Sequence, residues 1–215
     1  MTRADDKKSG PDVIVPNNSP FMESNLPDAK FIACMTGGES ALFPIVGIGA
    51  SAGGVEALQR FFKSLPPARG ITYVVVVHLA PAHPSHLADI LANSTSIPVI
   101  QVLGDMKVAP DTIYVIPPNH YLILDGGFLR LQKMPQSRSS QQAIDHFFIS
   151  LAEELQERSI GIILTGADHD GTVGLKAIKA AGGMVMVQLP ETAQHPGMPG
   201  SAVETGVVDR VLPIE

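Results

Sequence analysis

The sequence has one cysteine in 215 residues, Cys34, so it forms no internal disulfide, and with no second sulfur ligand nearby neither a zinc site nor a redox role is expected. No run of about 18 apolar residues offers a membrane-spanning helix, and no apolar stretch near the N-terminus fits a secretory signal. A soluble, cytoplasmic protein without membrane insertion is expected. Basic residues are few and unclustered: 15 Lys and Arg against 21 Asp and Glu leave a net charge of −6, a poor match for nucleic acid or an anionic membrane. Carboxylates are missing altogether between Glu56 and Asp89. That gap matters because Gly47, Gly49 and Ala52 satisfy the dinucleotide spacing G-x-G-x-x-G/A. Such a site wants an acid about 20 residues on, closing the second strand, to hold the ribose hydroxyls. His78 stands there instead.

What is present is enough apolar material, 45% of the residues, to bury a core, and the length suits one domain of roughly 170 to 200 residues. Residues 1–42 are dense in Asp, Lys, Ser, Asn and Pro without periodicity and read as a disordered leader or linker, leaving 43–215 as the domain. From position 44 onward, β-branched runs at 45–49, 71–77, 98–102, 160–164 and 184–188 alternate with helical stretches at 54–64, 85–93, 141–156 and 172–181. This is the pattern of βαβ units, and the expected fold is a doubly wound α/β domain with a mostly parallel sheet and helices on both faces. Ile144, Phe147, Phe148, Leu151 and Leu155 recur at three- and four-residue spacing, which gives the third helix one apolar stripe. The alternation breaks at 112–116, 121–125 and 128–133. These runs are strand-like, with Asp125-Gly126-Gly127 as a hairpin turn, so an antiparallel ribbon is placed there. Residues 134–140 read as a polar loop, and 189–200, rich in Pro and Gly, as a flap over a site.

Ligands of an open parallel sheet collect beyond the carboxyl ends of its strands, and three reactive residue types fall at such ends. Ser51 follows the first strand within Gly49-Ala50-Ser51-Ala52-Gly53, a G-x-S-x-G elbow whose small residues permit a tight strand-to-helix turn. His78 closes the second strand. Thr165-Gly166-Ala167-Asp168-His169-Asp170-Gly171 follows the strand at 160–164. A serine hydroxyl near neutral pH needs a base, and a neutral imidazole with an unperturbed pKa of about 6.5 can take its proton. A carboxylate must then hold the ring's tautomer and stabilise the imidazolium. Ser51, His78 and Asp170 meet that demand, and backbone N–H groups around Gly49 and Gly166 can bind an oxyanion.

Plainer roles exist for each residue. Ser51 can be the small residue the turn needs, His78 a hydrogen-bonded strand end, and Asp168 or Asp170 an ordinary helix N-cap; of the two carboxylates, Asp170 is the favoured acid. His83, His86 and Asp89 have ligand-like spacing, but Pro84 interrupts them and nothing completes a metal site, so a solvated helix start is expected. His120, His146 and His169 read as structural or surface residues, and His195 in the flap as a candidate substrate contact. The chain order Ser, His, Asp differs from the Ser, Asp, His of α/β-hydrolases and excludes an ordinary esterase fold.

In combination, Ile48-Gly49-Ala50-Ser51-Ala52-Gly53-Gly54, Val76-Val77-His78-Leu79-Ala80-Pro81, Pro110-Asp111-Thr112-Ile113-Tyr114-Val115-Ile116-Pro117-Pro118, Ile163-Leu164-Thr165-Gly166-Ala167-Asp168-His169-Asp170-Gly171 and Gly197-Met198-Pro199 resemble the catalytic domain of the chemotaxis protein-glutamate methylesterases, the CheB family. The resemblance runs from Phe43 to Pro213. It implies hydrolysis of γ-glutamyl methyl esters on a methyl-accepting chemotaxis receptor or similar signalling protein, with release of methanol and, in some members, deamidation of receptor glutamines. By motif position it implies Ser51 as nucleophile, His78 as base and Asp170 as orienting acid, with no cofactor and no metal. Ala167 and Ala52 are the implied backbone oxyanion donors, and His195 and Met198 the flap residues nearest a substrate.

Three positions depart from the common family pattern. Ala52 stands where many members carry threonine, Ala167 takes a methionine's place, and Asp168 adds a second carboxylate able to raise the base's pKa or replace the acid. A catalytically weak docking domain that keeps the fold is therefore the competing expectation. The family often carries an N-terminal receiver domain, for which forty residues are too few, and hybrid relatives add methyltransferase or sensor modules in the same parent chain.

Overall fold

The computed structural model describes residues 43–67, 69–77, 86–134 and 142–214. The leader assigned to 1–42, His78, His83 and positions 135–140 of the polar loop lie outside them. A seven-stranded parallel sheet carries the domain, in the order β10-β9-β8-β1-β2-β5-β3. From β1 (Ile45–Ala50) the chain moves outward through β2 (Thr72–Val77) to β3 (Val99–Gln101) and β5 (Thr112–Val115). It then returns on the other side of β1 as β8 (Ile160–Ile163), β9 (Met184–Gln188) and β10 (Arg210–Leu212). Strand order thus reverses at β1, between β2 and β8. That reversal opens a crevice at the carboxyl edge, where side chains from adjacent loops can converge.

Both faces of the sheet are covered, which is why β1, β2, β5 and β8 are buried along their whole length. On one face α1 (Gly54–Ser64) sets Phe62 edge-on to Tyr73, ring centres 5.5 Å apart. On the other lies α3 (Ala143–Leu155), whose stripe of Ile144, Phe147, Phe148, Leu151 and Leu155 is fully buried. At about 1.5–3 kcal/mol for each such side chain removed from water, this stripe is a main anchor of the domain. The glycines of β1 make room for it. A Cβ on Gly47 would meet Phe148 at 2.8 Å and one on Gly49 would meet Ile144 at 2.5 Å. Helix α4 (Thr172–Ala180) packs beside α3 over Gly161.

The ribbon differs from expectation in one strand. The run at 112–116 lies in the main sheet as β5, parallel to β2 in the register Thr72↔Thr112 and to β3 in the register Val99↔Ile113. Its four residues are all buried, whereas a ribbon strand with one wet face alternates, as β6 (His120–Asp125) does from Leu122 to Asp125. The ribbon consists of β6, β7 (Phe128–Lys133) and the short β4 (Met106–Lys107). Its hairpin turn is at Gly126 and Gly127, both with positive φ, as a two-residue turn of that hand requires. The ribbon rests on α3, where Ser150 Oγ accepts the Leu124 N–H at 3.0 Å and the Tyr121 ring stacks on His146. Among the described residues, no helix is long and apolar enough to cross a membrane.

Candidate active site

The loops after β1 and β8 meet at the carboxyl edge. Ser51, half-buried, directly follows β1, and its N–H donates to Thr165 O at 3.0 Å. Gly53 then takes a left-handed conformation (φ 73°), which lets α1 start within three residues of the serine; a Cβ there would also lie 2.4 Å from the Gln194 amide oxygen. The loop after β8 repeats the device, with Gly171 at φ 94° preceding α4. Val77, the last described residue of β2, aligns with Ala50, so β2 ends beside the elbow; His78 itself lies outside the described residues.

Asp170 is 4% exposed and does cap a helix, but not the one that follows it. Its Oδ2 accepts the Ile144 N–H and its Oδ1 the Asp145 N–H, both at 3.0 Å, at the open N-terminus of α3. The α3 N-cap, Gln142, offers no side-chain bond of its own. Two backbone donors and the positive end of a helix therefore hold the Asp170 carboxylate in place. Asp168 and His169, by contrast, are exposed at the tip of the same loop. His86 and Asp89 form an exposed pair at the start of α2 (Leu87–Ala92), with Nδ1 3.5 Å from Oδ2.

The flap at 189–200 is better ordered than its composition predicts, because its second half opens the helix α5 (Gly197–Glu204). It is tied to the acid loop by backbone. Gly166 N–H donates to His195 O at 3.0 Å, and Met198 N–H donates to Gly166 O at 2.8 Å. His195 thus meets the site through its main-chain N–H and C=O, and Met198 is fully buried against Gly166. Of the amides considered for an oxyanion, those of Ser51 and Gly166 are already spent on Thr165 O and His195 O. Ala52, half-buried, lies in the elbow, and Ala167, exposed, lies in the loop after β8.

Three residues that the sequence did not single out organise this rim. Thr165 Oγ1 accepts the His195 N–H at 2.8 Å and has Ala52 O at 3.1 Å and His195 O at 3.3 Å for its single proton, linking elbow, acid loop and flap. Gln188, 3% exposed, accepts the Thr165 N–H at 2.9 Å and donates to Thr192 O at 3.1 Å. Asp145, 3% exposed, accepts the Gly174 N–H at 2.7 Å. Burial pushes the Asp145 carboxyl above the usual carboxylate range; the Gly174 N–H opposes that rise and the Asp170 charge adds to it. A threonine after a strand, a strand-end glutamine and an acid in a helix's first turn are too common to signal these roles.

The glycines that resembled a phosphate loop face α3, with no clearance for a ligand at Gly47 or Gly49. Among the described residues, no three His, Cys, Asp or Glu side chains are grouped to hold a metal ion.

Comparison with known proteins agrees with this architecture. Residues 46–215 match the family model described as CheB methylesterase. A putative protein-glutamate methylesterase/protein-glutamine glutaminase of Leptospira interrogans is 36% identical over 172 residues, 78% of this chain and 88% of that protein. An uncharacterized 104.1 kDa protein of Rhodobacter capsulatus is 40% identical over 129 residues, 60% of this chain but 13% of that protein. The chain spans about half the length of several other curated relatives. Among solved structures, the CheB methylesterase catalytic domain of Thermotoga maritima superposes with a TM-score of 0.74 at 32% identity, covering 80% of this chain and 93% of that one.

Proposed function

The chain belongs to the CheB methylesterase family, and from that membership we propose that it hydrolyses γ-methyl esters of glutamate side chains on a chemoreceptor-type signalling protein, in the cytoplasm, releasing methanol. Ser51 is the nucleophile, His78 the base and Asp170 the acid that orients it. His78 takes the Ser51 proton as Oγ attacks the ester carbonyl. The tetrahedral oxyanion is met by the N–H groups of Ala52 and Ala167, a contact worth about 3 kcal/mol per donor. The intermediate collapses by breaking the bond to the methoxy oxygen, which leaves as methanol with the proton carried by His78. Water, deprotonated by the same imidazole, then attacks the glutamyl–Ser51 ester and restores the hydroxyl, leaving a γ-carboxylate. The same attack on a glutamine amide releases ammonia.

The observation that carries this reading is the pairing of Ser51 and the buried Asp170 on loops after adjacent parallel strands, β1 and β8, with Ser51 N–H held by Thr165 O. Nothing in the mechanism needs a cofactor. The test is methanol release from a methylated receptor cytoplasmic fragment. Ser51→Ala should lower the rate by at least about 10⁴-fold while circular dichroism stays unchanged. A serine-directed phosphonate should label Ser51 in the wild-type chain. Turnover retained in the alanine variant removes Ser51 from the mechanism; an unlabelled wild-type serine favours a docking domain.

A further inference from the structure

Asp145 is a buried titratable group that the mechanism leaves unused. Its side chain and that of Asp170 cap each other's helices. Asp170, one residue before the α4 N-cap Gly171, accepts the N–H groups of Ile144 and Asp145 in the first turn of α3. Asp145, in that first turn, accepts the N–H of Gly174 in the first turn of α4. Two hydrogen bonds and the chain from 170 to 174 thus close a ring. The helices can approach this closely because position 174 has no side chain: a Cβ there would lie 2.4 Å from Phe148 Cβ and 3.2 Å from the Asp145 backbone.

We propose that Asp145 is a positioning residue, whose carboxylate, by capping α4, holds the first turn of α3 where its amides aim the Asp170 carboxylate at the base. This rests on the reading of Asp170 as the orienting acid. Asp170 accepts the Ile144 and Asp145 N–H groups of a neighbouring helix, so a shift of α3 against α4 pulls on the acid through them. The bond from Gly174 N–H to Asp145 Oδ1 ties the two helices at that level. Asp145 Oδ2 is buried with no close hydrogen-bond partner among the described residues, while the Val173 and Gly171 N–H groups also favour the charged carboxylate. Among the described residues, the carboxylate facing Asp145 from α4's side is that of Asp170, whose charge disfavours ionisation of Asp145. Asparagine keeps the acceptor for Gly174 and removes that repulsion, whereas alanine removes the acceptor.

The experiment compares wild type, Asp145→Ala and Asp145→Asn by amide exchange at Ile144 and by methanol release. Asp145→Ala should speed exchange of the Ile144 N–H at least about tenfold and lower kcat by roughly 10- to 100-fold with KM within about twofold, the loss that a displacement of about 1 Å produces. Asp145→Asn should recover both to within about fivefold of wild type. In an Asp170→Asn background, Asp145→Ala should lower kcat no further, because its effect passes through Asp170. Where the alanine variant does not fold, Asp145→Glu, one methylene longer, takes its place and should shift both readouts in the same direction. Wild-type exchange at Ile144 in the variant, or an equal loss of kcat with and without Asp170, overturns the role of Asp145. Absence of Ser51-dependent turnover in the wild type removes the hydrolase reading instead, and the Ile144 exchange then decides alone whether Asp145 holds Asp170.

Discussion

Gly166 is where added bulk should be felt most sharply. Its N–H and C=O are both tied to the flap, through His195 O and Met198 N. A methyl group built on its Cα would lie 2.0 Å from Met198 Sδ, 2.8 Å from Met198 Cγ and 3.0 Å from Ser51 Cβ. Met198 is fully buried, so its thioether cannot swing into solvent, and either the flap lifts or the serine moves. Overpacking of this kind costs about 1–3 kcal/mol. For a chain of this length, that is a fall in Tm of roughly 2 to 12 °C at about 2–4 °C per kcal/mol. With Ser51 as the proposed nucleophile, activity should suffer more than stability, because a shift of about 1 Å in a reacting group can cost roughly 10²-fold in rate. The assays are calorimetry and methanol release on Gly166→Ala, Met198→Ala and the double variant. Truncating Met198 alone leaves a cavity and should cost about 2–5 kcal/mol. In the double variant the new methyl occupies part of that cavity, so the combined loss should fall short of the sum by at least about 0.5 kcal/mol. A strictly additive pair, or a Gly166→Ala variant with wild-type Tm and rate, would refute the packing described for this rim.

Gln188→Leu leaves the buried Thr165 N–H without its acceptor. It should cost about 1–3 kcal/mol, read as a lower urea midpoint, together with faster amide exchange at Thr165. Asp209 gives a pH dependence of known sign. Burial works to raise its carboxyl, but hydrogen bonds from Lys179 and the Val185 N–H outweigh it and hold the group below the usual carboxylate range. Its stabilisation is therefore complete above the ordinary carboxylate value and is lost as pH falls through the lower folded one. Asp209→Asn should be less stable than wild type by up to about 1 kcal/mol at neutral pH, with the gap closing in strongly acid solution. A constant gap across a pH series of urea melts would disprove the assignment.

The elements were legible where short-range pattern and long-range packing agree. The runs at 45–49 and 160–164 became β1 and β8 because nearly continuous apolar residues suit strands covered on both faces, and the run at 184–188 became β9, where buried Val185 and Val187 alternate with half-buried Met184 and Met186. The stripe on α3 was readable because its period matches the helix that buries it. Thr112–Val115 was recognisable as a strand but not as a member of the parallel sheet, since its partners, Thr72 and Val99, are remote in sequence and its neighbours resemble hairpin arms. The flap composition at 189–200 hides the start of helix α5. Gly197, Pro199 and Gly200 have poor helix propensity, and its first turn is held by tertiary bonds such as Met198 N–H to Gly166 O.

The order of residues along the chain was enough to determine an elbow serine after β1 and an aspartate-bearing loop after β8, because each is a local matter of small residues, turn chemistry and strand length. Folding decided the rest. That Asp170 caps α3 rather than α4, that Thr165 and Gln188 lock the rim, and that Gly47 and Gly49 clear a helix rather than a phosphate all depend on which elements lie side by side. Those contacts join residues 23 to 113 positions apart, and no pattern within one segment encodes them.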